Sequence, residues 1–137
     1  MSCRYFLCIL FALLLFSHTG PGLRAQEADR MVSDIVKAFE DGNAKGIASF
    51  FGTNVELSMP RAEGTFSKSQ SEIIIRDFFS RDKPSSFIII YHGYSQDGSV
   101  FVIGRLFTKN GRYYRTYFLI KNLSNSHFLH YLQLEQQ

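Results

Sequence analysis

The stretch from Phe87 to Leu134 constrains this fold most, because four strand-like segments follow one another in it with hairpin signals between them. Phe87–Tyr94 (FIIIYHGY) is rich in β-branched and aromatic residues, as are Ser99–Thr108, Arg112–Lys121 and Ser126–Leu134. Asp97-Gly98 and Asn110-Gly111 read as two-residue turns whose central positions take positive φ. Leu123-Ser124-Asn125 reads as a three-residue loop with Asn125 left-handed. These turns set a register in which facing residue numbers sum to 195 across the first hairpin and 221 across the second. One face then carries Ile88, Ile90, His92, Tyr94, Phe101, Ile103, Phe107, Tyr114, Phe118 and Ile120, with Arg105 and Thr116 among them. The other carries Ile89, Tyr91, Val100, Val102, Gly104, Leu106, Tyr113, Tyr117 and Leu119, with Arg115 and Lys121. Gly104 falls between Tyr91 and Tyr117, whose rings are expected to cover it. Antiparallel sheets usually wet one side. A sheet apolar on both asks for helices on one face and something else, often a partner subunit, on the other.

Upstream, the pattern supplies those helices. Met31, Val32, Ile35, Val36 and Phe39 recur at three- and four-residue spacing and predict a helix over Gln26–Asp41, stopped by Gly42. Asn43 caps a second helix, Ala44–Phe51. Val55–Met59 is expected as a first strand at the sheet edge, and Arg61–Gly64 as a loop. Ser69-Gln70-Ser71-Glu72 has the spacing of a capping box and opens a third helix through Arg81, buried through Ile74, Ile75, Phe78 and Phe79.

The first 25 residues have the form of a signal peptide: Arg4, then the apolar run Tyr5–Phe16, then a polar approach to cleavage after Ala25. Residues 26–137 then form a single domain. Both cysteines, Cys3 and Cys8, leave with the leader, and thiol chemistry leaves with them. Arg4 and Arg24 leave too, so the formal charge falls from +3 to +1, thirteen basic against twelve acidic residues, and nucleic acid is not expected as a partner. No later segment is long enough to cross a membrane.

Two helices, a strand, a capped third helix and a four-strand meander resemble the nuclear transport factor 2-like superfamily, also described as a cystatin-like cone. The resemblance runs from Val32 to Leu134 and is carried by IVKAFEDGNAKGIASFFGTNVELSM and RYYRTYFLIKNLSNSHFLHYLQLE. It implies a cone-shaped α+β fold, with N-terminal helices packed on a curved, mostly antiparallel sheet that ends in the meander. Within the superfamily the chain is similar to small exported bacterial proteins, the domain-of-unknown-function 4783 family. That implies a periplasmic or secreted location in a Gram-negative bacterium and brings no activity with it.

Superfamily enzymes place an acid or histidine base inside the cone. The four meander strands contain neither Asp nor Glu, which leaves Glu56, His92 and His130 as candidate bases and Asp77 as a solvated helix residue. In the expected register His92 and His130 share a row three strands apart, roughly 14 Å at about 4.8 Å per strand, too far to share a metal. Arg105 on the apolar face is expected to meet an internal carboxylate, to sit at an exposed cone mouth or to bind a ligand anion, and with Tyr114 and His92 it makes the candidate ligand site. Tyr91, Tyr113, Tyr117 and Leu106 make the candidate homodimer interface. No metal site or cofactor is expected. Three functions fit: a non-enzymatic exported domain holding a small apolar or anionic ligand or docking on another envelope protein; an isomerase, dehydratase or hydrolase using an inward histidine; and a purely structural homodimer with its cone closed by Phe101, Phe107 and Phe118.

Overall fold

The computed structural model describes residues 22–137. The expected leader lies outside these residues, apart from Gly22–Ala25, which form the first turn of helix α1 (Gly22–Glu40). Helix α1 buries Ala28, Met31, Val32, Ile35, Ala38 and Phe39. It ends in a Schellman motif: Gly42 takes φ +62°, its N–H donates to Phe39 O, and the Asn43 N–H donates to Ala38 O at 2.8 Å. Asn43 then caps α2 (Ala44–Ala48), accepting from the Gly46 N–H at 2.8 Å. Helix α2 is shorter than expected because Phe51 already belongs to β1 (Phe51–Met59).

Strand β2 (Ala62–Ser67) begins inside the segment expected as a loop, Arg61–Gly64, and it pairs antiparallel with β1. Ser67, not Ser69, caps α3 (Lys68–Arg81): it accepts from the Gln70 N–H, and the Gln70 side chain accepts from the Ser67 N–H. Strands β3 (Pro84–Tyr94), β4 (Val100–Thr108), β5 (Tyr113–Leu123) and β6 (Ser126–Gln136) form the meander. The six-stranded sheet runs β2-β1-β6-β5-β4-β3, so β1 is internal and β2 and β3 are the edges. Only the β1–β6 pair is parallel.

The register departs from expectation at every turn. The β3–β4 and β4–β5 connections are three-residue loops, Gln96-Asp97-Gly98 and Lys109-Asn110-Gly111, with Gly98 and Gly111 at φ +84° and +83°. Facing numbers therefore sum to 194 near the first turn, as in Tyr94 with Val100, and to 220 across the second, as in Phe107 with Tyr113. The β5–β6 turn is the two-residue one, with Ser124 and Asn125 both at positive φ. A slip of one residue transfers a whole strand to the other face. The inner row of β4 is accordingly Val100, Val102, Gly104, Leu106 and Thr108, which faces Tyr114, Thr116, Phe118 and Ile120 of β5.

Phe101, Ile103, Arg105 and Phe107 point outward with Tyr113, Arg115, Tyr117, Leu119 and Lys121, away from the helices. Arg105 thus stands exposed on the outer face, and Phe101 and Phe107 do not close the cone. Gly104 pairs with Ile89 and Thr116, and the ring of Phe87 covers it, not those of Tyr91 and Tyr117. The interior is filled around Phe39, whose ring lies 5.4 Å from Phe87, 6.1 Å from Phe79 and 6.4 Å from Phe118.

Candidate functional site

Helix α3 lies against β1 and β2 but leaves a recess of about 250 Å³ where its last turns meet the β1–β2 hairpin and the start of β5. The apolar part of its wall includes Met59, Ile74 and Phe78; the polar part includes Arg61, Arg81, Arg112 and Gln136. Tyr114 and Asp82 form its inner end. Tyr114 is 1% exposed, its ring packed edge-on against Phe78 at 5.0 Å. Its hydroxyl donates to Asp82 Oδ2 at 2.5 Å, while Asp82 Oδ1 accepts from Asn110 Nδ2 at 2.6 Å and Arg112 Nη1 at 3.3 Å.

Burial pushes the Asp82 carboxyl up, but the donors Tyr114 and Asn110 and the Arg112 charge outweigh it and hold the group below its ordinary value of 3.8. The Tyr114 hydroxyl moves the opposite way from 10.0, raised by burial and by its bond to Asp82. At neutral pH the pair is therefore a carboxylate and a phenol, each already engaged, and neither is poised to exchange a proton. Arg81 pairs with Asp77 and Arg112 with Asp82, whereas Arg61 makes no salt bridge among the described residues. Three guanidinium groups and two carboxylates leave the recess with one net positive charge.

The other expected site residues are dispersed. Of the expected ligand set Arg105, Tyr114 and His92, only Tyr114 lines this recess. His92 does face the helices, but from β3: its Nε2 is buried, has no hydrogen-bond partner among the described residues, and lies 3.5 Å from Asp29 of α1, which also accepts from the Tyr94 hydroxyl. His130 sits at a β-bulge in β6, where Leu119 and Ile120 pair with Tyr131 and Leu129 and skip it. It lines an open trough of about 680 Å³ on the outer face together with Glu56, Arg115, Tyr117 and Tyr131. His92 and His130 are thus on opposite faces and not in one row, and Glu56 points out of the cone. Tyr91, Tyr113 and Tyr117 do share the outer face, but Leu106 is 0% exposed in the core.

Asp82 was not singled out by the sequence, since it falls between a helix end and Pro84 with no periodic pattern around it. Arg61 and Arg81 gave no signal either, because they enter the recess only through the β1–β2 hairpin and the last turn of α3. Among the described residues no three His, Cys, Asp or Glu side chains are grouped to hold a metal ion. No described helix is long and apolar enough to cross a membrane.

A family model described as a domain of unknown function, DUF4783, matches residues 32–135. No curated protein matches the chain. Among solved structures, a DUF4783 family protein from Bacteroides uniformis is 26% identical with a TM-score of 0.70, over 77% of this chain and 95% of that one. One from Bacteroides fragilis is 25% identical with a TM-score of 0.69, over 76% and 96%. At 11% identity and a TM-score of 0.58, an NTF-2 like protein of unknown function from Silicibacter pomeroyi shares the fold over 80% of this chain and 92% of its own. With its helices on a curved mixed sheet and three-quarters of its length matched, the chain belongs to the DUF4783 family and has the nuclear transport factor 2-like fold.

Proposed function

We propose that this is an exported, non-enzymatic binding domain that holds a small anionic amphiphile in the recess between α3 and the sheet. The observation that carries the reading is the composition of that recess: an apolar wall of Met59, Ile74 and Phe78 beside Arg61, a guanidinium that makes no salt bridge among the described residues. A guanidinium fork matches a carboxylate or phosphate oxygen pair, and a buried apolar wall favours an attached hydrocarbon. A volume of about 250 Å³ limits the ligand to a short chain or a single ring system. Tyr114 and Asp82 serve as the rigid inner end, since every oxygen of the pair is already hydrogen-bonded. Export is supported by Arg4 followed by the apolar run Tyr5–Phe16.

Calorimetry with decanoate, decanol and decyltrimethylammonium tests the reading. Decanoate is expected to bind saturably, the alcohol more weakly and the cation not at all. Arg61→Ala should weaken decanoate roughly tenfold or more, the worth of one charge-assisted contact of about 1.4 kcal/mol. Equal binding of all three probes, or decanoate binding untouched by Arg61→Ala, overturns it.

A further inference from the structure

The turns at one end of the sheet are basic, and the hairpin turns at the other are not. Strands β1, β4 and β6 end, and β2, β3 and β5 begin, at the end where the recess lies. The chain passes there through Arg61 in the β1–β2 turn, Arg81 and Lys83 between α3 and β3, and Lys109 and Arg112 around the β4–β5 turn, all five exposed. At the opposite end the β3–β4 and β5–β6 turns, residues 95–99 and 123–126, contain no Lys or Arg and one acid, Asp97. The basic turns are clamped together. The Lys109 N–H donates to Lys83 O at 2.8 Å, and Asp82 accepts from Asn110 Nδ2 at 2.6 Å and Arg112 Nη1 at 3.3 Å. The acids lining the recess, Asp77 and Asp82, are already paired with Arg81 and Arg112, while Glu63 and Glu135 lie on the outer face of the sheet. Five cations against two carboxylates leave an excess of three, held together against their mutual repulsion.

We infer that this basic end docks the protein on an anionic bilayer surface, with the recess at the contact. The choice of a bilayer over another polyanion rests on the reading of the recess as an amphiphile site. Arg61, Arg81 and Arg112 belong both to the basic collar and to the recess, whose apolar wall includes Met59, Ile74 and Phe78. An amphiphile with a hydrocarbon tail partitions into membranes, so a site that takes one up is best placed at the membrane surface. Each basic residue near an anionic surface strengthens binding about fivefold, and the attraction fades within a Debye length of about 8–10 Å. Five cations on turns at a single end can stand within that layer together; the same residues spread over the domain could not.

The test is co-sedimentation of the protein with vesicles of phosphatidylcholine alone, and of phosphatidylcholine with about one-third phosphatidylglycerol. Binding is expected to the anionic vesicles only, and to be lost at high salt. Lys83→Ala with Lys109→Ala leaves every residue that lines the recess in place. This double variant is expected to bind anionic vesicles roughly thirtyfold more weakly, with its circular dichroism spectrum and its decanoate binding unchanged. Equal binding to neutral vesicles, no binding to anionic ones, or full binding by the double variant overturns the inference. So does soluble polyglutamate that binds as tightly as the vesicles at equal charge, which would assign the collar to an acidic protein. A protein that takes decanoate but ignores anionic vesicles overturns the docking and leaves the recess reading standing. One that ignores decanoate but loses vesicle binding in the double variant supports the docking and overturns the recess reading.

Discussion

Replacing Asp82 by alanine removes the acceptor shared by three donors, and the structure sets the size of the effect. The Tyr114 hydroxyl, 1% exposed, is left without an acceptor, which costs about 1–3 kcal/mol. Asn110 loses a charge-assisted bond of about 1.5 kcal/mol but can turn toward water. Arg112 has a side chain 54% exposed and re-solvates, so its share is under about 1 kcal/mol. The total is about 3 kcal/mol, or a fall in melting temperature of roughly 10 °C for a domain of this size. Urea unfolding of the wild type and Asp82→Ala at pH 7 measures it.

Acidification provides the stricter test of the same carboxylate. Its folded pKa lies below the unfolded value of 3.8, so the folded state binds fewer protons across that interval. Its contribution is complete above the unfolded value and is lost as pH falls through 3.8 to the folded value. The gap between the wild type and Asp82→Asn, which cannot titrate there, is therefore expected to narrow in acid. Asp82→Ala within about 0.5 kcal/mol of the wild type at pH 7, at the level of an ordinary surface change, refutes the reasoning. So does a wild-type to Asp82→Asn gap that stays constant into acid.

Two further changes probe the frame around the recess. Gly104→Ala would place its Cβ 2.5 Å from Phe87 Cε1 and 2.8 Å from the Ile88 carbonyl oxygen, and since the second is backbone the strand must move; a loss of about 1–3 kcal/mol in urea unfolding is expected. Ser67→Ala removes the α3 cap and half of its capping box, for about 1 kcal/mol, whereas Ser69→Ala should be near neutral in the same assay.

The helices were legible because their signals are local. The stripe Met31, Val32, Ile35 and Phe39 and the Gly42-Asn43 stop are read within a few turns of chain. The register was not, because Asp-Gly and Asn-Gly suit both a two-residue turn and the last two positions of a three-residue loop ending in a left-handed glycine. Charge could have decided between them. Val100, Val102, Gly104 and Leu106 form a row without charge, as do Tyr114, Thr116, Phe118 and Ile120, and the two rows face each other only when the pairs sum to an even number. A sum of 221 instead opposes Arg105 to Thr116 inside a core, where an unpaired guanidinium is costly. Strand β2 was missed because Ala62, Glu63, Gly64 and Ser67 carry little β signal around the two β-formers Thr65 and Phe66, and the segment is held by pairing with β1. Of the recess, Tyr114 was legible; Asp82, Arg61 and Arg81 reach it only through contacts between segments distant in sequence.

The central claim, an anionic amphiphile held beside Arg61, is tested most directly by native mass spectrometry of the protein purified from the cells that make it, before and after denaturation and refolding. The account predicts a single added mass of amphiphile size that is lost on refolding and absent from Arg61→Ala purified in the same way. A chain that carries nothing before denaturation, or an Arg61→Ala chain that carries the same mass as the wild type, contradicts it.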